Sequence, residues 1–311
     1  MKLSEKITYR ALNIVCGTLS LLPLRVLYII SDALAFTARY IVRYRVRIVM
    51  SNLSSSFPEK SEKELKSIAR KFYRFLCDYF VETIKLYFMS SGYIRKHLTV
   101  EGIELIDNSM KNGRNCSVML GHYCNWEWIS SLPVFLAGYG VPVQVYHPLR
   151  NAGSDKFFDK LRTRFHAENV PQRDIFKVLM KYKRQGTPTV VGYIADQVPS
   201  LNIHLFVDFL NHDTPVFTGP ERISRILDAD VFYGHMSRPK RGYYHLKLIP
   251  ITKKIQDDPI FDPTKEYFRL LEQNIIEAPQ YWLWSHRRWK RTREKFNQMF
   301  GDKAQEQLSH L

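Results

Sequence analysis

Between residues 103 and 195 the chain alternates short apolar runs with amphipathic helical patterns, and that alternation restricts the fold more than any other feature of the 311-residue sequence. The patterns predict helices over 103–111, 125–137, 154–166 and 172–184, with strands over 116–120, 142–146 and 187–195. Strands separated by helices require crossover connections, so the sheet they form is mostly parallel and covered on both faces. Further strands are expected near 203–209, 230–236 and 243–249, with helices over 219–228 and 265–277. The fold class is therefore α/β, a mixed, largely parallel central sheet flanked by helices.

Upstream of this core, Ser61 and Glu64 form a capping-box pattern. The residues Leu65, Ile68, Phe72, Phe75, Leu76, Tyr79 and Phe80 then recur at helical spacing, giving a long amphipathic helix over 61–89. The segment before it is unusual. From Ala11 to Leu24 there is no charge, and only Arg25, Asp32 and Arg39 interrupt apolar sequence as far as Val42. The uncharged run is shorter than the ~18 residues a spanning helix needs. Charges seven apart share one helical stripe, which leaves a broad apolar face suited to a membrane interface. Arg39, Arg43, Arg45 and Arg47, with Tyr40 and Tyr44 among them, would form a cationic and aromatic collar at headgroup depth. The alternative is a hydrophobic hairpin packed on the main domain. Residues 1–50 are thus expected to be a membrane-associating helical segment. Residues 51–311 are expected to be one α/β domain with a basic, aromatic C-terminal segment.

The 46 Lys and Arg outnumber the 30 Asp and Glu by 16, a field that favours acidic partners: nucleic acid, anionic lipid, phosphorylated substrates or an acidic carrier protein. The four cysteines, Cys16, Cys77, Cys116 and Cys124, contain no C-x-x-C pair, so neither a zinc knuckle nor a disulfide framework is indicated.

The stretch Gly121-His122-Tyr123-Cys124-Asn125-Trp126-Glu127 follows an apolar strand and opens a helical pattern. Ligands of open α/β sheets collect beyond the carboxyl ends of strands, so His122 is the first candidate for chemistry. A Glu127 in the first helical turn is placed to face the imidazole, fix its tautomer and stabilise the imidazolium formed when His122 removes a proton. Two histidines one helical turn apart, as a zinc site of the H-E-x-x-H kind needs, are missing around His122, and so is a G-x-S-x-G elbow. Asp196 ends another apolar strand and would reach the same sheet edge if the two strands are parallel neighbours. Arg162 and Arg164 flank the apolar face of helix 154–166, and spacing alone does not choose between them.

These residues resemble a known family. His122 through Trp128, Val145-Tyr146-His147-Pro148, Ala195-Asp196-Gln197, Thr218-Gly219 and Pro279 through Arg288 together are similar to the late acyltransferases of lipid A synthesis, a branch of the wider glycerolipid acyltransferases that carry His-x4-Asp/Glu. The resemblance implies transfer of a fatty acyl group from acyl carrier protein to a hydroxyl of a phosphorylated glycolipid acceptor, a lipid A precursor. It also implies the cytoplasmic face of the cell inner membrane. It carries the catalytic pair onto His122 and Glu127 and substrate binding onto Arg162, Asp196 and Gln197, with no metal and no cofactor. His147 stands where the family usually has Arg, and Cys124 where Gly is common.

The tail Tyr281-Trp282-Leu283-Trp284-Ser285-His286-Arg287-Arg288-Trp289-Lys290-Arg291 interleaves aromatics with cations, which fits an interfacial site with Trp at headgroup depth. No RNP signature, helix-turn-helix or zinc finger accompanies it, so nucleic acid is not expected as a partner. Two other functions stand beside the first: an acyltransferase acting on another membrane lipid, such as a lysophospholipid, glycolipid or aminolipid, or a noncatalytic basic protein that binds membrane or nucleic acid.

Overall fold

A computed structural model describes residues 2–200 and 203–309. Its centre is a seven-stranded sheet built from β1 (Leu98–Glu101), β2 (Cys116–Leu120), β3 (Val141–Tyr146), β4 (Glu168–Pro171), β5 (Thr189–Ile194), β8 (Asp230–Lys240) and β9 (Tyr243–Thr252). The strand order is β1-β9-β8-β2-β5-β3-β4, and only the β8–β9 hairpin is antiparallel. All five residues of β2, Cys-Ser-Val-Met-Leu, are buried, as a central strand covered by helices on both faces must be. A separate hairpin, β6 (Leu205–Phe209) with β7 (His212–Val216), stands outside the main sheet. The expected α/β class is the observed one, and every expected strand is present.

β2 and β5 are parallel neighbours, with Leu120 opposite Ile194. Ala195 extends the pairing by donating its N–H to the Leu120 carbonyl at 3.2 Å, so the two strands end side by side and release Gly121-His122 and Asp196-Gln197 at one edge. Gly121 makes room there: a Cβ would lie 2.6 Å from Leu271 Cδ1 and 3.4 Å from Asp196 Oδ2, so any larger residue would have to displace the buried Leu271 side chain.

The helix expected over 125–137 differs. Trp126–Val134 is 3₁₀ rather than α-helical. Pro133 has no N–H to give, and the hydroxyls of Ser130 and Ser131 bond the carbonyls three residues back, at 2.6 Å each, which favours the tighter turn.

The helices before the sheet include α1 (Leu3–Leu21), α2 (Leu24–Phe36), α3 (Val46–Ser56) and α4 (Glu62–Leu86). Ser61 and Glu64 form the capping box at the start of α4 as the spacing predicts. Pro23, the residue before α2, marks the break after α1. No single described helix is long and apolar enough to cross a membrane; Leu3–Leu21 with Leu24–Ile41 is so as a pair, bent by 119°. Much of the pair's apolar surface faces outward, although Cys16, Leu27 and Ala35 are buried. Leu3, Ile14, Leu21, Ile29 and Ile41 are exposed, while Ser20 and Ser31 are fully buried.

The polar side finds partners in the core. Ser31 donates to Asp78 at 2.6 Å and Tyr28 to Glu82 at 2.8 Å, both carboxylates lying on α4. Arg238 and Arg241, at the β8–β9 turn, close the network: Arg238 pairs with both Asp78 and Glu82, and Arg241 bridges Asp78 to Asp32. α1 also packs on the helix Ala152–Arg162, where Gly153 approaches the Glu5 carbonyl so closely that a side chain has no room.

Candidate active site

His122 leaves the end of β2 with its ring Nδ1 2.6 Å from Asp196 Oδ1. The second carboxylate oxygen accepts the His122 backbone N–H at 2.8 Å and the Trp282 indole N–H at 2.8 Å. A carboxylate so placed can only accept, so Nδ1 carries a proton and Nε2 is the ring nitrogen turned away from Asp196. Gln197 caps that nitrogen, its amide nitrogen 3.1 Å away. Asp196 is 2 % exposed. Burial by itself would raise its pKa, but the charge and hydrogen bond of His122, the Trp282 N–H and the His122 backbone N–H outweigh it and hold the carboxyl below its ordinary value.

The contact expected between His122 and Glu127 is not made. Glu127 turns to Arg162, whose Nη2 and Nε reach Oε1 and Oε2 at 2.6 and 3.0 Å in a two-pronged fork. Tyr79 adds a long bond of 3.4 Å to Oε1. The reason is local geometry. Cys124 sits at φ +52°, and the 3₁₀ start at Trp126 replaces the α-helical phase that would have aimed position 127 at the imidazole. The positive φ at Cys124 also explains why Gly suits this place: an L side chain there is strained. Burial lowers the affinity of Arg162 for its proton, yet the hydrogen bonds and charge of Glu127 prevail and raise its pKa. Burial and the neighbouring Glu127 push the Tyr79 hydroxyl well above its usual value, so it stays a donor. Trp126 lies between Tyr79, stacked at 4.2 Å, and the His122 ring, edge-on at 5.0 Å.

Arg162 and Arg164, which spacing left equivalent, have different fates. Arg162 meets Glu127, whereas Arg164 donates to the backbone carbonyls of Tyr87 and Met89. His147 is exposed, its Nδ1 near the Pro148 carbonyl.

His122, Glu127, Arg162 and Gln197 edge a cavity of about 550 Å³. Behind them its wall is apolar, including Val118, Leu120, Leu132, Val143, Val190 and Ile194 from the sheet and the 3₁₀ segment. Among the described residues no group of three His, Cys, Asp or Glu side chains is arranged to hold a metal ion.

The aromatic tail, expected at a membrane surface, instead forms the rear of this site. Trp282 and Trp284 are 3 % and 0 % exposed. Trp282 bridges to Tyr123, and the Tyr281 carbonyl accepts the Cys124 N–H at 3.0 Å, so the tail clamps the 121–125 turn from behind. Indole N–H groups that find a carboxylate and, for Trp284, the Pro279 carbonyl lose nothing by leaving the interface. Trp282, Tyr79 and Trp126 are thus site residues that sequence reasoning missed. Trp126 and Trp282 carried a signal, since both lie within family motifs; Tyr79 carried none beyond its place on the apolar face of α4.

The class so defined is an α/β protein that brings a carboxylate-backed imidazole to the polar mouth of an apolar cavity. The chain belongs to the bacterial lipid A biosynthesis acyltransferase family, whose model matches residues 2–291. It is 24% identical over 273 residues to the lipid A biosynthesis palmitoleoyltransferase of Escherichia coli K12, covering 86% of each chain. To the lauroyltransferase of the same organism it is 26% identical over 274 residues, covering 86% of this chain and 87% of the relative. A lipid A biosynthesis acyltransferase of Haemophilus influenzae is 21% identical over 236 residues, or 75% of this chain and 72% of that one.

Proposed function

We propose that the chain moves a fatty acyl group from an acyl carrier protein thioester to a hydroxyl of a phosphorylated lipid A precursor, with His122 as general base. One observation carries this reading: an imidazole with its tautomer fixed by a buried aspartate stands at the polar end of an apolar cavity. The acceptor O–H gives its proton to His122 Nε2, displacing the Gln197 amide. Its oxygen attacks the thioester carbonyl, and collapse of the tetrahedral intermediate expels the thiolate, which takes the proton back from the imidazolium. Asp196 stabilises the imidazolium without receiving its proton. The acyl chain occupies the apolar cavity.

Glu127 serves this site through Arg162. Their fork fixes a guanidinium at the cavity mouth, where Nη1, which has no carboxylate partner, is free for a substrate phosphate or the developing oxyanion. The exposed apolar face of α1 and α2 attaches the protein to the inner membrane from its cytoplasmic side, which brings the cavity to the lipid acceptor.

The test uses a carrier-bound acyl donor and a detergent-dispersed phosphorylated glucosamine lipid. His122→Ala should lower turnover by roughly 10²–10⁴-fold. Asp196→Asn should be severely impaired, and the double variant should lose no more than His122→Ala alone. Wild-type turnover by His122→Ala ends the mechanism. Arg162→Lys, which keeps the charge and loses the fork, should be slow while Arg164→Lys is close to wild type; the opposite ranking moves the site. Mass spectrometry of lipids from cells with and without the chain names the acceptor.

A further inference from the structure

A second and larger concavity, about 960 Å³ and open, lies between α3, the β6–β7 turn and the end of the aromatic tail. None of its lining residues borders the cavity at His122. Arg47, Arg287, Lys290 and Arg291 line it, and among the described residues their side chains make no hydrogen bond and no ion pair. Arg291 Nη1 is a buried donor without an acceptor. The groove's other cation, Arg293, is neutralised by Asp213 through a fork of 2.5 and 2.7 Å, which leaves Glu294 as the one lining carboxylate against four free cations. His212 stacks on Trp289 at 3.9 Å to form a rigid wall.

Free cations converging in a groove with a buried unanswered donor require an anion with several acceptor oxygens. The position of the groove identifies which. Arg47 follows directly on the exposed apolar run Phe36, Tyr40, Ile41, Val42 and Tyr44, so the basic surface begins where the outward apolar face of α1 and α2 ends. A side that is apolar on one border and cationic on the next matches the acyl and phosphate layers of a lipid leaflet. We propose that this groove binds the phosphate-bearing headgroups of anionic membrane lipids. The step rests on the reading that the N-terminal pair enters a membrane, and the two parts can be tested separately.

Arg47, Arg287 and Lys290 are all exposed, so Arg47→Gln, Arg287→Gln and Lys290→Gln can be combined while the half-buried Arg291 is left in place. The full chain is co-sedimented with vesicles of phosphatidylcholine, with and without phosphatidylglycerol, and its thermal melt is recorded in detergent. The triple variant should melt as wild type and bind phosphatidylcholine as wild type. On phosphatidylglycerol-containing vesicles it should bind about 100-fold more weakly, from roughly fivefold per cation. Its remaining binding should also depend less on salt. Ile29→Glu with Leu34→Glu should instead weaken binding to both vesicle types; if it does not, the helical pair is not the membrane anchor, and that failure is distinct from failure of the groove. The groove proposal is overturned if the triple variant binds phosphatidylglycerol vesicles normally, or loses binding equally on both. It is overturned too if vesicle binding is intact and only the KM for the carrier-bound donor or for the dispersed acceptor rises.

Discussion

Residues 3–44 and 281–291 both set aromatic and apolar side chains among arginines, yet the first segment turns its apolar groups outward and the second turns them in. In α1 and α2 the side turned to the protein mixes apolar Cys16, Leu27 and Ala35 with polar groups that find partners there, Ser31 meeting Asp78, Tyr28 meeting Glu82 and the more exposed Asp32 meeting Arg241, while Ile29 and Leu34 stay outside. In the tail, Trp282 and Trp284 each have a polar atom that the core answers, so the large rings follow it inside. The same residue types take opposite faces according to which of their groups has a partner in the fold. Hydropathy does not contain that information.

The comparison can be broken first at the polar seat of the helical pair. Asp78→Ala takes from Arg238 and Arg241 the buried carboxylate they share, leaving Glu82 to the first and Asp32 to the second, and should cost about 3 kcal/mol in a detergent unfolding curve. A loss under 1 kcal/mol would mean the pair is held by apolar contact after all. Next comes the tail. Trp282→Phe keeps the ring packing but removes the donor to Asp196, which should cost about 1.5–3 kcal/mol and lower kcat more than it changes KM. Unaltered kcat would make the segment packing alone.

A pH titration sharpens the contrast at the tail. Burial, aided by the charges of Arg288, His122 and Lys290, pushes His286 from 6.5 down to about 4 despite the attraction of Asp196. Between those values the unfolded chain binds a proton that the folded chain does not, so this residue makes stability fall as pH drops from 6.5 towards 4. His286→Gln should flatten that slope in pH-dependent melts. The smallest effect is expected on the outward face: Ile29→Ser should change stability in detergent by less than about 0.5 kcal/mol, and a large loss would show that face to be covered.

The sheet was legible because its central strands are short apolar runs between helical patterns, and β2 and β5 fall within a residue or two of where periodicity puts them. The edge strands β1 and β4, four residues each, were not, since neither has a period long enough to read. His122 was legible from its place at a strand end. Asp196 was legible as a residue of the same sheet edge, but not as the partner of His122, because it is 74 residues away and becomes a neighbour only through the β2–β5 pairing, whereas Glu127 is close in sequence and is turned away by a 3₁₀ turn. Local spacing picked out His122, and tertiary register decided which carboxylate meets it.

The network beneath the helical pair has a consequence for how the chain is made. Asp32 receives Arg241 only after 209 further residues have been synthesised, and Ser31 waits 47 residues for Asp78. The helical pair, made before the sheet, is therefore among the last parts to be completed. Until the β8–β9 turn has emerged, its polar side has Arg74 of α4 to meet but neither Arg238 nor Arg241 to complete the network. The order of synthesis thus leaves a lipid surface or a chaperone as the partner of the nascent pair long before His122 has a sheet to stand on.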